Sequence, residues 1–328
     1  MGKTILTLLV LISAGLAQTS SHGPPSVHHS GEVGAFPGAA QLGEGESFYS
    51  GSAALIRTEV QEVNLTFTVT NRHGHFVRNL TPSDFTIEDN GETPKRITYF
   101  ESQSELPLRL AIVVDSSDSV GYVFDDEKRS AAHFLKRILR RTSDLALIIG
   151  FNQEVRLVQG LAADVDPLSH AIRKLQIGGD TAIYDAVSAA SQELAKVRDT
   201  PTVRRAIVVL TDGEDNSSHI KLEQAEEAAQ RNECAVYVMS VNAETDSERE
   251  ESDRAMKELA EVTGGTFLRA QTAERLNIAF SNIEKELRNQ YLISYKPATV
   301  NPNGSFHRLV VSGPKKLRVH HRDGYFAR

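Results

Sequence analysis

Residues 110–120 read LAIVVDSSDSV, and no other stretch constrains the fold as tightly. Ala111, Ile112, Val113 and Val114 form a continuous apolar run rich in β-branched side chains. Such a run suits a strand covered on both faces, as in a parallel sheet. The character changes at Asp115. Asp115, Ser117 and Ser119 alternate, so in an extended turn all three present oxygen to one point. A set of oxygen ligands alone selects a hard cation, Mg²⁺ or Ca²⁺, over zinc.

Around this stretch, buried-type strands are expected at 109–114, 145–151, 206–210 and 235–241, with a weaker one at 265–269. Residues 154–159 are expected to form a hairpin with the strand before them. Helical spacing lies between the strands. Ile183, Val187, Ala190, Leu194 and Val197 fall on one face, as do Leu276, Phe280, Ile283 and Leu287. Strands alternating with helices predict right-handed crossovers and an α/β fold with a doubly wound, mostly parallel sheet. The single cysteine, Cys234, excludes an intrachain disulfide and reads as a buried strand thiol.

Both flanks follow a different period. Over 51–106, Val63, Leu65, Phe67 and Val69 alternate with polar residues, and turn chemistry follows at 71–74 and at Asp89-Asn90-Gly91. This predicts the first part of a small antiparallel, immunoglobulin-like β module. Period two returns over 290–328 with Tyr291, Ile293 and Tyr295, then 306–311 and 317–320. That segment is too short for a core of its own, so it is expected to complete the β module. The α/β domain, 107–289, would then be inserted between two halves of one β unit.

The N-terminus has the pattern of a secretory signal over 1–17. Lys3 precedes the apolar run 5–12, and small residues lead to cleavage after Ala17. Residues 18–50, rich in Gly, Ser, Pro and His, read as a linker, with His22, His28 and His29 as polar filler. The expected address is secreted or periplasmic, with no membrane span in the mature chain.

Three segments compose a candidate site. One strand leads to Asp115, Ser117 and Ser119, another to Thr211-Asp212-Gly213, and the loop 178–181 brings Thr181 to a helix expected to start near Ala182. In a doubly wound sheet, the carboxyl ends of strands at the switch point form the ligand crevice. Thr181 could serve as that helix's N-cap, as a ligand, or as both. Asp118, Asp180, Glu214 and Asp215 read as solvated rim residues.

The order Asp115, Ser117, Ser119, then Thr181, then Asp212 resembles the metal ion-dependent adhesion site of von Willebrand factor A domains. The resemblance covers about residues 107–289. More loosely, the flanking DFTIEDNG and RDGYF resemble a bacterial secreted variant of that family. The resemblance implies that hydroxyls of Ser117, Ser119 and Thr181 hold Mg²⁺ (or Ca²⁺ or Mn²⁺) directly or through water. Asp115 and Asp212 would hold its waters or complete its shell. It implies a protein partner that donates an acidic side chain as the last ligand.

Other functions find less support. A net charge of -7 gives no electrostatic reason to expect nucleic acid. Neither a P-loop nor a dinucleotide glycine fingerprint nor His-Glu-x-x-His nor Gly-x-Ser-x-Gly is present. A serine nucleophile would need His133 or His219, which nothing in the sequence positions. The remaining enzymatic alternative is an Mg²⁺-dependent hydrolase of the phosphoryl-transfer type using the same acidic loops. That chemistry ordinarily wants carboxylates on the metal and a basic residue for phosphate. The hydroxyl-rich set favours a binding module that is not an enzyme.

Overall fold

Period-two alternation near the N-terminus becomes three strands: β1 (Val63–Thr70), β2 (Thr86–Asp89) and β3 (Arg96–Glu101). They belong to a computed structural model that describes residues 62–102, 106–197, 203–242, 247–299 and 303–327. The expected signal segment and linker lie outside the described residues.

The chain then builds the central sheet from β4 (Leu108–Asp115), β5 (Leu145–Phe151), β6 (Val155–Ala162), β7 (Arg204–Thr211), β8 (Cys234–Ser240) and β9 (Phe267–Arg269). The order is β6-β5-β4-β7-β8-β9. Only the β5–β6 pair is antiparallel; the other pairs run parallel. Among the described residues six α-helices accompany them: α1 (Phe124–Ile138), α2 (Val165–Lys174), α3 (Ile183–Ala195), α4 (Leu222–Arg231), α5 (Ser247–Thr263) and α6 (Ala273–Arg288).

Every residue of β4 is buried, because helices cover both sheet faces. Leu110, Ile112 and Val114 point to the face packed by Phe134 and Leu135 of α1, Leu168 of α2 and Phe280 of α6. Phe134 and Phe280 stack with centroids 4.6 Å apart. Ala111 and Val113 point to the opposite face, against Val187 and Leu194 of α3, Ala225 and Ala229 of α4 and Leu259 of α5. The one-residue alternation of a strand thus feeds two separate cores, as a doubly wound sheet requires. Most strand ends shift by one or two residues from the sequence reading, and two elements differ in a way that matters. β6 continues to Ala162, past register shifts against β5. α3 stops at Ala195, which leaves Val197 outside the helix.

The C-terminal strands are β10 (Tyr291–Lys296), β11 (Phe306–Ser312), β12 (Arg318–His321) and β13 (Gly324–Phe326). β10 follows α6 at once and lies between β1 and β3, with Ile293 opposite both Leu65 and Phe100. One sheet has the order β12-β1-β10-β3 and the other β13-β11-β2, so each mixes strands from both chain ends. Leu65, Phe67, Phe85, Ile87, Ile293, Leu309 and Val311 share one core. Phe67 stacks on Tyr291 at 5.4 Å and meets Phe85 edge-on at 4.9 Å. A buried polar cluster also joins the two sheets. Asp89 accepts from the hydroxyls of Tyr295 (3.0 Å) and Tyr325 (2.8 Å), and His307 Nδ1 lies 2.8 Å from its other oxygen.

Candidate metal centre

β4 and β7 are parallel neighbours with Val114 opposite Leu210. Their carboxyl ends therefore carry Asp115 and Asp212 to the same rim of the sheet. Asp115 is fully buried. Its Oδ1 accepts from the Ser117 amide at 2.9 Å, and its Oδ2 accepts from the Thr211 hydroxyl at 2.6 Å. Burial pushes the Asp115 carboxyl up to about 6, against the pull of the Thr211 and Ser117 hydrogen bonds, and the charge of Asp212 adds to the rise. The Ser117 and Ser119 hydroxyl oxygens lie 3.0 Å apart. Asp212 is buried too, and its Oδ1 has no hydrogen-bond partner. An acceptor left bare in the interior is costly and calls for a missing donor or cation.

The loop before α3 is clamped onto this turn. Gly178 N donates to Ser116 O at 2.9 Å, and Asp118 N donates to Gly179 O at 3.0 Å. Gly179 has φ +88°, and a Cβ there would lie 1.6 Å from Gln153 Oε1, the acceptor of the Asp180 amide. The positive φ favours glycine here, and a side chain would also displace the Gln153 amide from the Asp180 N–H.

Thr181, 2% exposed, is held from the third loop. Its amide donates to Asn216 Oδ1 at 2.9 Å, and its carbonyl accepts from the amides of Asn216 and Ser217. Thr181 does not cap α3; Ala182 occupies that position. The helix's first amides are satisfied instead by Asp215 Oδ2, from Tyr184 N at 3.1 Å, and Ser218 Oγ, from Asp185 N at 3.2 Å. Asp215 is thus a helix cap supplied across a loop, not the solvated rim residue that the sequence suggests. Asp118 and Asp180 are exposed and Glu214 is half-buried.

One acidic residue was not singled out from the sequence. Glu127, in the first turn of α1, is fully buried, and neither carboxylate oxygen has a hydrogen-bond partner. Burial, then the charges of Asp115 and Asp212, hold its carboxyl well above the usual range. The available signal was its spacing: Glu127 lies three residues after Phe124 and four before Ala131, on the apolar face of the helix.

Among the described residues, no three His, Cys, Asp or Glu side chains converge as a cage for a metal. A cation at this rim would therefore depend on hydroxyl oxygens, and the donor set fits that need. Ser117 and Ser119 offer adjacent neutral oxygens, and Asp212 offers a bare acidic one. A serine–histidine pair is not formed. Ser117 bonds Ser119, whereas His219 lies 2.7 Å from Asp185 Oδ2.

The sequence profile of the von Willebrand factor type A domain matches residues 110–282, more than half of the chain, and the protein belongs to that family. No curated protein sequence matches it. Several solved structures are similar. A von Willebrand factor type A protein from Catenulispora acidiphila is 12% identical with TM-score 0.49, over 82% of this chain and 75% of that one. An aerotolerance-related membrane protein from Bacteroides fragilis is 19% identical with TM-score 0.45, over 55% and 98%. The vWF domain of the type V pili tip protein Mfa5 from Porphyromonas gingivalis is 13% identical with TM-score 0.46, over 55% and 94%. No helix among the described residues is long and apolar enough to cross a membrane.

Proposed function

We propose that this chain is an exported, metal-dependent protein-binding module. Ser117, Ser119 and Thr181, with Asp115 and Asp212, would hold one divalent cation, Mg²⁺ ahead of Ca²⁺ or Mn²⁺. When bound, the cation supplies a Lewis-acidic position for a carboxylate of a partner protein. The observation that carries this reading is the unpartnered Asp212 oxygen on the same rim as the Ser117–Ser119 hydroxyl pair. The chain's own residues orient the site. Thr211 and the Ser117 amide fix both oxygens of Asp115, and Asn216 pins the backbone of Thr181. Neutral hydroxyls in the donor set leave the cation's charge less quenched than carboxylates would, which suits capture of an acidic group.

A hydrolytic role is less well supported. The serines bond each other rather than a base, and the rim residues Asp118 and Asp180 would repel a phosphate. The test is capture of partner proteins on the immobilised chain in Mg²⁺ and in chelator, with Asp212→Ala alongside. The reading expects capture that chelator reverses and that the variant lacks. Capture indifferent to chelator, or Mg²⁺-dependent hydrolysis of a phosphate ester lost in Asp115→Ala, contradicts it.

A further inference from the structure

Glu127 is the least explained charge among the described residues. A buried carboxylate normally has a cationic partner or several donors, because stripping its water is costly. Glu127 is fully buried, and both of its oxygens are bare. The basic residues next to it are engaged elsewhere: Lys128 pairs with Asp125 at 2.9 Å and Arg129 pairs with Asp126. β4 ends at Asp115 and α1 begins at Phe124, with Val114, Val120, Val123 and Phe124 in one core, so the first turn of α1 stands at the rim that carries Asp115 and Asp212. The charges of both acids repel Glu127 there. Its place in the first turn of α1 gives it the positive end of a helix dipole, which does not offset burial beside two further acids. What is missing is a positive charge, or a donor polarised by one, on the side facing the rim.

We infer that Glu127 is a third acidic group of the metal centre, accepting a hydrogen bond from a cation-bound water and so raising the site's affinity. This inference rests on the metal-site reading above. Glu127 acts through water because the acids do not converge as a direct cage. It is a positioning residue: outer acceptors of this kind orient the ligands that touch the ion, and their loss typically weakens binding about 10–100-fold.

The test is calorimetric titration of Mg²⁺ into the full chain as wild type, Glu127→Gln, Glu127→Asp and Asp212→Ala, with melting in chelator alongside. Glu127→Gln keeps the shape and removes the charge. It is expected to weaken Mg²⁺ binding at least about tenfold while raising the melting temperature of the metal-free protein, since the repulsion is gone. A merely structural Glu127 would give the reverse: affinity within twofold of wild type and a lower metal-free melting temperature. That result overturns the inference. Glu127→Asp keeps the charge on a shorter arm and is expected to fall between wild type and Glu127→Gln. If Glu127→Gln fails to fold, a wild-type affinity in Glu127→Asp overturns the inference by itself. Loss of binding in Asp212→Ala with full binding in both Glu127 variants removes the inference and leaves the metal site standing. A wild type that takes up no Mg²⁺ removes both.

Discussion

Thr211 donates its hydroxyl to Asp115 Oδ2 across 2.6 Å, joining the ends of two neighbouring parallel strands through a fully buried side-chain bond. The same hydroxyl oxygen accepts from the Gly213 amide at 3.1 Å, so one threonine sets both the Asp115 carboxyl and the turn that carries Asp212. Thr211→Val, close in shape but without the hydroxyl, should cost about 1.5–3 kcal/mol, the usual range for a bond to a charged group. Urea denaturation at neutral pH checks this. Thr211→Ser, which keeps the hydroxyl, should lose much less.

The pH dependence of the metal-free protein follows from Asp115. Its folded value of about 6 lies above the ordinary 3.8, so between those limits the folded state holds more protons than the unfolded one. The stability this group contributes is complete below pH 3.8 and is lost as pH rises through 6. Buried Glu127 acts in the same direction. Thermal melts in chelator from pH 4 to pH 7 should show wild type losing melting temperature relative to Asp115→Asn. Parallel profiles for the two proteins would contradict this assignment.

Asp215 caps α3 from a neighbouring loop by accepting from Tyr184 N at 3.1 Å, and it also accepts from the Ser218 hydroxyl at 2.6 Å. Asp215→Ala should cost about 1 kcal/mol, as loss of a helix cap does. Hydrogen exchange should quicken at the amides of Tyr184 and Asp185. The Thr181 carbonyl depends on the same loop, through Asn216 and Ser217. Mg²⁺ affinity should therefore fall with the cap.

In the β domain, Asp89 is the shared acceptor of Tyr295, Tyr325 and His307. Asp89→Ala leaves the Tyr295 hydroxyl, the His307 ring and the half-buried Tyr325 hydroxyl without their acceptor. It should destabilise by several kcal/mol, about 1–3 kcal/mol for each group left unsatisfied. Tyr325→Phe removes one donor and should cost about 1–3 kcal/mol. Neither change touches the sheet rim, so Mg²⁺ affinity should stay as in wild type. Denaturation and titration on the same samples check both halves.

The central strands were legible because β4, β7 and β8 are covered on both faces, which forces continuous apolar runs that polar turns end sharply. Asp115, Ser117, Ser119 and Asp212 were visible for the same reason: they stand where the runs stop. Glu127 was not, because a glutamate in a helix's first turn is ordinarily a solvated partner of the dipole, and only packing shows it buried. The role of Asp215 was not legible, because the amide it caps lies 31 residues earlier in the chain. In the β domain, alternation revealed strands but not neighbours. β2 and β3 are close in sequence, yet β2 pairs with β11 and β3 with β10.

The most direct measurement is anomalous diffraction from crystals soaked in Mn²⁺. The account predicts one peak at the carboxyl end of β4, bonded to the hydroxyl oxygens of Ser117 and Ser119, and its absence from Asp212→Ala crystals. A wild-type crystal saturated with Mn²⁺ that shows no density there contradicts it.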